Sequence, residues 1–311
     1  MLLSRKPAVD QGELTEWCSR WLGSFPVRTF LQTGNLSTVL GVALADGRRV
    51  IVKVRAPADR ISVCMDVQQR LWERGFPCPH PLAGPAPLGT LTATAESYLP
   101  GGRQLLPSPA VAPRFGQALA RMVRLAPPLT QTGSLQPPPA WLHWDHGLEG
   151  AWPRPETTMI DLNAVQGPPW LEEVAQRARA RLAKFDAPAV IGHADFESQN
   201  VRWRAGRIYS VHDWDSVAAL PEAVLAGAAS AVHPATGLEA AAASITDTRH
   251  FLHAYARHRG APWTRNEREV CWAAGLWVLA YNARVEIAEG GTRFSERVRG
   301  DADDRLTRAG A

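Results

Sequence analysis

Residues 190–216, with the sequence VIGHADFESQNVRWRAGRIYSVHDWDS, constrain the fold of this chain more than any other stretch. Apolar and polar side chains alternate over residues 201–204 and again over 207–212, as they do in β-strands. The intervening Ala205-Gly206 suits a two-residue turn, because Gly adopts a positive φ at no steric cost. The stretch therefore predicts a β-hairpin that follows an apolar strand and a polar loop.

Four polar residues flank this hairpin, and three of them, His193, Asp195 and Asn200, form a His-x-Asp-x-x-x-x-Asn pattern. Closing the hairpin at its turn pairs Asn200 with Val211, so Asp213 is expected about 7 Å from Asn200 at about 3.3 Å per residue. An amide and a carboxylate oxygen at this spacing suit Mg²⁺ better than Zn²⁺. Asp195 is then placed to accept a proton from a substrate hydroxyl, as the base of a kinase does. The alternative interpretation is an ordinary hairpin with exposed carboxylates.

These motifs resemble those of the aminoglycoside phosphotransferase and choline kinase superfamily, the small-molecule branch of the protein-kinase-like fold. Its catalytic motif usually reads His-Gly-Asp, with Ala194 in the Gly position here, and its metal motif is matched at Asp213. The resemblance implies an α+β fold of two lobes. A small antiparallel-sheet lobe that binds the nucleotide is expected over residues 1–99, and a mainly helical lobe for catalysis and substrate binding over 100–311.

The resemblance also assigns a role to each polar residue of the stretch. Asp195 is expected to be the catalytic base and His193 to brace the catalytic loop, while Asn200 and Asp213 hold Mg²⁺. Asp215 is expected either to support the site or bind substrate, or to have a plain structural role.

The first hundred residues change from a helical to a strand-like pattern. A helix over residues 11–23 is predicted by apolar residues at helical spacing, namely Leu14, Trp17, Cys18, Trp21 and Leu22. Period-two alternation then predicts three strands, over 27–32, 37–44 and 48–55, with a hairpin at Asp46-Gly47 joining the last two. These strands predict a small antiparallel sheet.

Lys53 is one of only three lysines in the chain, and it alone lies within an apolar, strand-like run. An ammonium group in that setting needs an anionic partner to offset its desolvation, and nucleotide phosphates supply one. The alternative is an exposed lysine on an edge strand. Upstream, Gly34, Asn35 and Ser37 form a turn whose backbone N–H groups are expected to approach phosphate oxygens, with an ordinary turn as the alternative.

Two further features of this half follow from the resemblance. A helix predicted over residues 59–74 is expected to carry an acid that pairs with Lys53. Asp66 is the best candidate by position, Glu73 near the helix end is another, and the choice is left open. The segment 91–102 resembles the last strand and hinge of the small lobe. Backbone groups from Glu96 to Leu99, and thus around Tyr98, are implied to hold the nucleobase.

The remaining chain has mainly helical patterns. Helices are predicted over 110–125, 170–185, 220–232, 237–258 and 266–289, with a structureless Pro-rich connection over 126–140. In the resembling family, acids on the last helices bind cationic substrates. The candidates are Glu267, Glu269, Glu286 and Glu289, and a solvated helix face is the alternative for each of them.

Composition excludes several classes of function. The net charge of +4 comes from interspersed charges with no basic run, so no nucleic-acid partner is expected. No apolar run of about 18 residues and no leader pattern are present, so neither a membrane partner nor secretion is expected. Four cysteines without paired spacing indicate reduced, mostly buried thiols in a cytoplasmic protein. The sequence does not indicate an oligomeric state.

The predicted activity is transfer of the γ-phosphoryl group of ATP, or GTP, to a hydroxyl of a small molecule, and the resemblance leaves a cationic substrate open. A nucleotide-binding protein without turnover would be expected to lack Asp195, Asn200 or Asp213, and all three are present. A protein kinase would be expected to carry a G-x-G-x-x-G loop and an Ala-Pro-Glu segment, and the sequence has neither. Aminoglycosides, other antibiotics, amino alcohols and sugars are all open as acceptors, and antibiotic resistance is a possible role.

Overall fold

The structure of the chain is a computed structural model that describes residues 6–105, 108–155, 160–237 and 241–311. The chain divides into two compact units, Met1–Gly101 and Gly102–Ala311. No helix within the described ranges is long and apolar enough to cross a membrane. The division of tasks that the resemblance implies for the two parts of the chain stays a prediction.

Unit 1 is an antiparallel sheet of five strands with two helices. Its elements are, in chain order, α1 (Gln11–Leu22), β1 (Pro26–Thr33), β2 (Thr38–Leu44), β3 (Arg49–Arg55), α2 (Arg60–Glu73), β4 (Pro81–Leu88) and β5 (Leu91–Ser97). The strands lie in the order β1, β2, β3, β5, β4, and every neighbouring pair is antiparallel. The helix and the three strands predicted from the first half of this unit are confirmed.

Helix α1 covers one face of the sheet of unit 1. Asp10 caps the start of α1 by accepting a hydrogen bond from the N–H of Glu13 at 2.9 Å, and Gly23 ends the helix with a φ of 71°. Its apolar side chains pack with alternate valines of β3, which are 0% exposed, in a core formed by Leu14, Trp17, Cys18, Leu22, Val50, Val52 and Val54. Trp21 was predicted to join this apolar stripe, but it is 43% exposed and lies against the guanidinium of Arg20.

Unit 2 is mainly helical and contains two short strand pairs. Its elements are α3 (Val111–Leu125), α4 (Pro169–Ala183), β6 (Ala189–His193), β7 (Val201–Arg204), β8 (Arg207–Val211), β9 (Val217–Pro221), α5 (Glu222–Val232), α6 (Ile245–Arg259), α7 (Arg265–Ala288) and α8 (Arg293–Ala309). Strand β6 pairs with β9, and β7 pairs with β8 in the predicted hairpin. Helix α7 packs against α4, α5 and α8. Most of its side chains are therefore buried, as its largely apolar sequence allows.

The structure corrects three expectations in unit 2. Leu220, predicted to start a helix, lies in β9, where it pairs with Val190 of β6. The helix predicted over 237–258 begins only at Ile245, after the N-cap Ser244, and residues 238–240 of that prediction lie outside the described residues. Helix α8 was not predicted, because its many charged residues leave few apolar residues from which helical spacing can be recognised in the sequence.

The Pro-rich connection contributes to the core, although the sequence suggested that it was too structureless to do so. It contains a short 3₁₀ turn at Leu129–Gln131, and a second one, Ala140–Leu142, begins at its last residue. Within the connection, Leu135 and Ala140 are 2% and 6% exposed. Isolated apolar residues without periodicity gave no sign of this burial in the sequence.

All four cysteines are buried thiols, as the sequence predicted. Three of them, Cys18, Cys64 and Cys78, belong to unit 1, and Cys271 belongs to unit 2. Burial raises the pKa of Cys18 to about 11, and it raises the pKa of Cys271 further.

Helices α5 and α7 approach each other so closely that a glycine is required between them. A Cβ atom at Gly227 would lie 2.2 Å from the carbonyl oxygen of Cys271. We expect Gly227→Ala to lower the free energy of unfolding by about 1–3 kcal/mol, because the two backbones must separate. Guanidinium denaturation followed by circular dichroism measures this change.

Gly300→Ala is the matched control, because Gly300 is an exposed residue of α8 and a Cβ atom added there would have no other atom within 4 Å. We expect this substitution to raise the free energy of unfolding by about 0.5–1 kcal/mol through helix propensity alone. A stabilising effect of both substitutions would contradict the close packing of α5 on α7.

Candidate active site

The imidazole of His193 connects the two loops that carry the predicted catalytic residues. His193 ends β6 and is 1% exposed, with Phe196 and Trp214 packed edge-on against its ring. Its Nε2 donates to the carbonyl oxygen of His212 at 2.9 Å, so its Nδ1 accepts from the N–H of Asp195 at 3.2 Å. With both nitrogens bonded to backbone groups, the ring is placed to hold the loops rather than to transfer a proton.

Asn200 fixes the carboxylate of Asp195. Its Nδ2 donates to Oδ2 of Asp195 at 2.8 Å and to the backbone oxygen of Asp195 at 3.0 Å. Because the amide nitrogen is directed at Asp195, the amide oxygen of Asn200 points the other way. The same side chain can thus orient the base and offer an oxygen ligand to a cation.

Asp213 begins the 3₁₀ turn Trp214–Ser216 in a left-handed conformation, with φ 64° and ψ 54°. Asp and Asn tolerate this conformation better than other residues with a side chain. The Ser216 hydroxyl donates to Oδ2 of Asp213 at 3.5 Å, and the Trp214 indole donates to the carbonyl of Val211 at 3.0 Å. These contacts direct the Asp213 carboxylate out of the strand pair.

The hairpin register differs from the predicted one. Trp203 pairs with Ile208 but Arg202 pairs with Ser210, so Tyr209 is an extra residue in β8. The N–H of His212, not that of Val211, therefore bonds to the carbonyl of Asn200, at 2.8 Å. Asp213 lies one residue beyond this pair instead of the two that were predicted.

Three carboxyl groups lie close together at this site. Burial, and then the charge of Asp213, raise the pKa of Asp195 to about 7. Burial and the charge of Asp195 likewise raise the pKa of Glu197, which shares a hydrogen bond with Asp195 and accepts one from Gln199 at 2.7 Å. Glu197 was not among the predicted site residues, although a further acid two residues after Asp195 was visible in the sequence.

This donor set fits a magnesium ion. The Asp213 carboxylate and the Asn200 amide oxygen are hard ligands, and Mg²⁺ commonly takes one or two such groups together with water and phosphate oxygens. No cluster of three or more His, Cys, Asp or Glu side chains that would form a complete metal cage occurs in the part of the chain that the structure describes. The excess of negative charge on Asp195 and Asp213 also favours a cation.

Lys53 lies on the central strand β3 of unit 1 and is 7% exposed, so it is not the edge-strand lysine of the alternative interpretation. Residues that alternate along a strand share a face. Lys53 and Ile51 therefore lie on the same face as Thr94 and Glu96, their partners on β5. We call this side of the sheet the lysine face; it is opposite to the face covered by α1.

The acids that the sequence offered as partners of Lys53 are both exposed. Asp66 and Glu73 lie on the outer side of α2, where Glu73 accepts a hydrogen bond from Gln69 at 2.7 Å. Among the buried side chains of α2, Gln68 is the one that donates to Glu96, and it is 3% exposed. The pairing of Lys53 with a helix acid thus has no support from the position of either candidate.

The loop between β1 and β2 contains Gly34, Asn35 and Ser37. Gly34 has a φ of 111°, and a Cβ atom there would lie 1.9 Å from the carbonyl oxygen of Ser37. Gly is therefore required by the turn itself, and phosphate binding by this loop stays a prediction.

The segment after β5 is tied to the sheet. The N–H of Tyr98 donates to the carbonyl of Arg49 at 3.2 Å, and the Arg49 guanidinium lies over the rings of Tyr98 and Phe30 at 4.3 and 4.0 Å. Glu96 itself is paired in the sheet on both sides. The backbone groups predicted to hold a nucleobase run from Glu96 to Leu99. Those that follow Tyr98 lie beyond the residues that are paired with neighbouring strands.

Three of the four acids predicted near the last helices have structural partners. Glu267 completes a capping box with Thr264, and Glu269 forms ion pairs with Arg181 at 3.1 Å and with Arg265. Glu286 accepts from the first N–H groups of α8, those of Phe294 and Ser295, and Glu289 is exposed at the end of α7. The first three of these positions are explained by helix capping and ion pairing.

A five-stranded antiparallel sheet followed by a helical unit with this catalytic loop is the protein-kinase-like fold, and the predicted fold class is confirmed. The sequence matches the phosphotransferase enzyme family over residues 29–263, and the chain belongs to this family. The resemblance stated from the motifs is thereby confirmed. Membership supports a small-molecule phosphotransferase of the kinase type. No curated protein matches the chain.

Several solved structures share the fold. Spectinomycin phosphotransferase APH(9)-Ia, solved with ADP and spectinomycin, is 11% identical, with 97% of this chain and 94% of that chain covered and a TM-score of 0.58. A thermostable mutant of aminoglycoside phosphotransferase APH(4)-Ia, solved with ADP and hygromycin B, is 15% identical, with coverages of 96% and 99% and a TM-score of 0.59. An aminoglycoside phosphotransferase from Alicyclobacillus acidocaldarius is 12% identical, with coverages of 97% and 94% and a TM-score of 0.58.

The repulsion between Asp195 and Asp213 predicts a pH-dependent stability. The folded protein keeps the Asp195 proton up to about pH 7, whereas an unfolded chain releases it near about pH 4, so this group lowers stability as the pH rises through that window. We expect Asp213→Asn, which tolerates the left-handed backbone, to raise the melting temperature in EDTA at pH 8 by about 2–4 °C. At pH 5 the gain should vanish, because Asp195 is then protonated.

Differential scanning calorimetry at the two pH values checks this expectation. Asp186→Asn, which removes an exposed carboxylate near the start of β6, is the control and should change the melting temperature equally at both. An Asp213→Asn gain that is the same at pH 5 and pH 8 would contradict the proposed charge repulsion.

Proposed function

We propose that this protein transfers the γ-phosphoryl group of ATP, with GTP as the alternative donor, to a hydroxyl group of a small molecule in a magnesium-dependent reaction. The observation that carries the proposal is the arrangement of Asp195, which is held by the Asn200 amide and by the His193 ring next to the Asp213 carboxylate. This is the set of groups that phosphoryl transfer requires, namely a base, an amide and a metal-binding acid.

Asp195 is the base of the proposed reaction. Its carboxylate accepts the proton of the substrate hydroxyl as that oxygen attacks the phosphorus, and its pKa near 7 suits proton transfer at neutral pH. The hydrogen bond from Asn200 keeps the Oδ2 oxygen of this carboxylate in place. His193 serves as a positioning residue, because it bonds the loop through the Asp195 N–H.

Asp213 and Asn200 are the residues that would hold Mg²⁺, which supplies charge neutralisation for the transferred phosphoryl group. Lys53 is proposed to orient nucleotide phosphates, because an anionic ligand stabilises a buried ammonium on a central strand. The turn at Gly34, Asn35 and Ser37 is proposed to add backbone N–H groups. The ADP in the solved structures of APH(9)-Ia and APH(4)-Ia supports nucleotide binding.

The proposed acceptor is a hydroxylated small molecule of the aminoglycoside or aminocyclitol kind, and an amino alcohol or a sugar is the alternative. The neighbours solved with hygromycin B and with spectinomycin support the first class. A binding protein without turnover is the second candidate function. It is disfavoured because Asp195, which has no role in nucleotide binding, is held in place by two side chains.

Nucleoside diphosphate release from ATP-Mg²⁺ and GTP-Mg²⁺, measured with a panel of antibiotics, amino alcohols and sugars, tests the proposal. We expect acceptor-dependent release from the wild type, and at least about a hundredfold slower turnover in Asp195→Asn with nucleotide affinity kept. Asp186→Asn is the control and should be as active as the wild type. A folded Asp195→Asn variant with normal turnover would rule out Asp195 as the base.

Lys53→Met tests the phosphate-binding role of unit 1. The substitution keeps the length of the side chain but removes the charge, so the upward shift in melting temperature given by saturating ATP-Mg²⁺ should fall well below the wild-type shift, and turnover should fall with it. Lys184→Met replaces an exposed lysine after α4 and should behave as the wild type. Equal shifts and equal turnover in Lys53→Met and the wild type would exclude a phosphate contact of Lys53.

A further inference from the structure

The lysine face of unit 1 contains a buried carboxylate, that of Glu96. Neither helix capping nor strand pairing explains why an acid is buried there. Glu96 is 8% exposed and lies near the end of β5, on the same face as Lys53. A carboxylate so far removed from water needs both hydrogen-bond donors and a compensating positive charge. Its described hydrogen-bond donor is the neutral side chain of Gln68.

Gln68 holds the carboxylate in one position. Its Nε2 donates to Oε2 of Glu96 at 3.0 Å and to the carbonyl oxygen of Pro79 at 2.9 Å, so both amide protons are used. Gln68 is itself 3% exposed on the inner side of α2. The helix therefore supplies a rigid amide from Gln68, whereas the acid predicted for this helix was Asp66 or another residue.

The strand register determines which cation Glu96 faces. Lys53 pairs directly with Thr94, so it is the diagonal neighbour of Glu96, at a typical separation of about 7–8 Å that long side chains can bridge. Arg55 pairs with Thr92, two residues further along, and its Nη2 donates to the hydroxyl of Thr94 at 2.7 Å. Arg49, two residues before Ile51, is the other diagonal neighbour of Glu96, but its guanidinium lies over the rings of Phe30 and Tyr98. Lys53 is thus the buried cation beside Glu96.

We propose that the Glu96 carboxylate, held by Gln68, is the acid that positions Lys53 for the nucleotide phosphates, in place of an acid on helix α2. This inference rests on the proposed function, in which Lys53 binds those phosphates. Because β3 and β5 are hydrogen-bonded neighbours, the partner of the lysine belongs to the sheet itself. Helix α2 then acts on Lys53 through the Gln68 amide that holds Glu96, and not through an acid of its own.

The test compares Glu96→Gln with two acid-to-amide controls on α2, Asp66→Asn and Glu73→Gln. The new amide keeps an oxygen for the Gln68 hydrogen bond, so the melting temperature without nucleotide should change little. We expect Glu96→Gln to halve the thermal shift given by ATP-Mg²⁺ and to raise KM for the nucleotide at least about fivefold, with a smaller effect on kcat. The two controls should match the wild type.

The double variant Gln68→Glu/Glu96→Gln separates positioning from a structural role, because it moves the carboxylate across the same hydrogen bond to the helix. We expect it to recover part of the thermal shift that Glu96→Gln loses. A wild-type shift in Glu96→Gln, an equal loss in Asp66→Asn, or no recovery in a stably folded double variant would each overturn the inference. No shift of the wild type by ATP-Mg²⁺ or GTP-Mg²⁺ would instead overturn the proposed function, and the inference with it.

Discussion

The candidate active site depends on one buried imidazole. His193 bonds to the carbonyl oxygen of His212 through one nitrogen and to the N–H of Asp195 through the other. Its ring thereby fixes the distance between the loop that contains the base and the loop that contains Asp213. The short β6 and β9 pair supports this arrangement, since His193 ends β6 opposite Val217, just after the turn that Asp213 begins. A neutral ring in a single tautomer serves this purpose better than a charged one, because one of its partners is a donor and the other an acceptor.

Each unit contains buried charged groups. In unit 2, burial and then the charge of Asp213 raise the pKa of Asp195, and burial and then the charge of Asp195 raise the pKa of Glu197. In unit 1, Lys53, Arg55 and Glu96 are buried on one face of the sheet. Buried charges are unfavourable unless hydrogen bonds or opposite charges compensate for them. The Asn200 and Gln68 amides, which donate to Asp195 and to Glu96, are part of this compensation.

The sequence predicted those parts of the molecule that depend on local periodicity. The hairpin after Asn200, helix α1 and strands β1 to β3 follow from alternation and spacing, and the site residues follow from a motif with few physical alternatives. The extra residue Tyr209 in β8 was not predictable, because a bulge leaves the alternation almost unchanged while it shifts Asp213 by one position. The contact of Gln68 with Glu96 was hidden for another reason: it joins residues far apart in the chain, and a glutamine gives no electrostatic signal in a sequence.

The four buried cysteines have a practical consequence for the study of this molecule. A thiol reacts with alkylating reagents as the thiolate, and burial both shields Cys18 and Cys271 and disfavours their ionisation. Labelling at neutral pH thus requires the chain around a cysteine to open first. Because Cys271 belongs to unit 2 and the other three belong to unit 1, the rate of alkylation at each sulfur would report the opening of each unit separately, without any introduced probe.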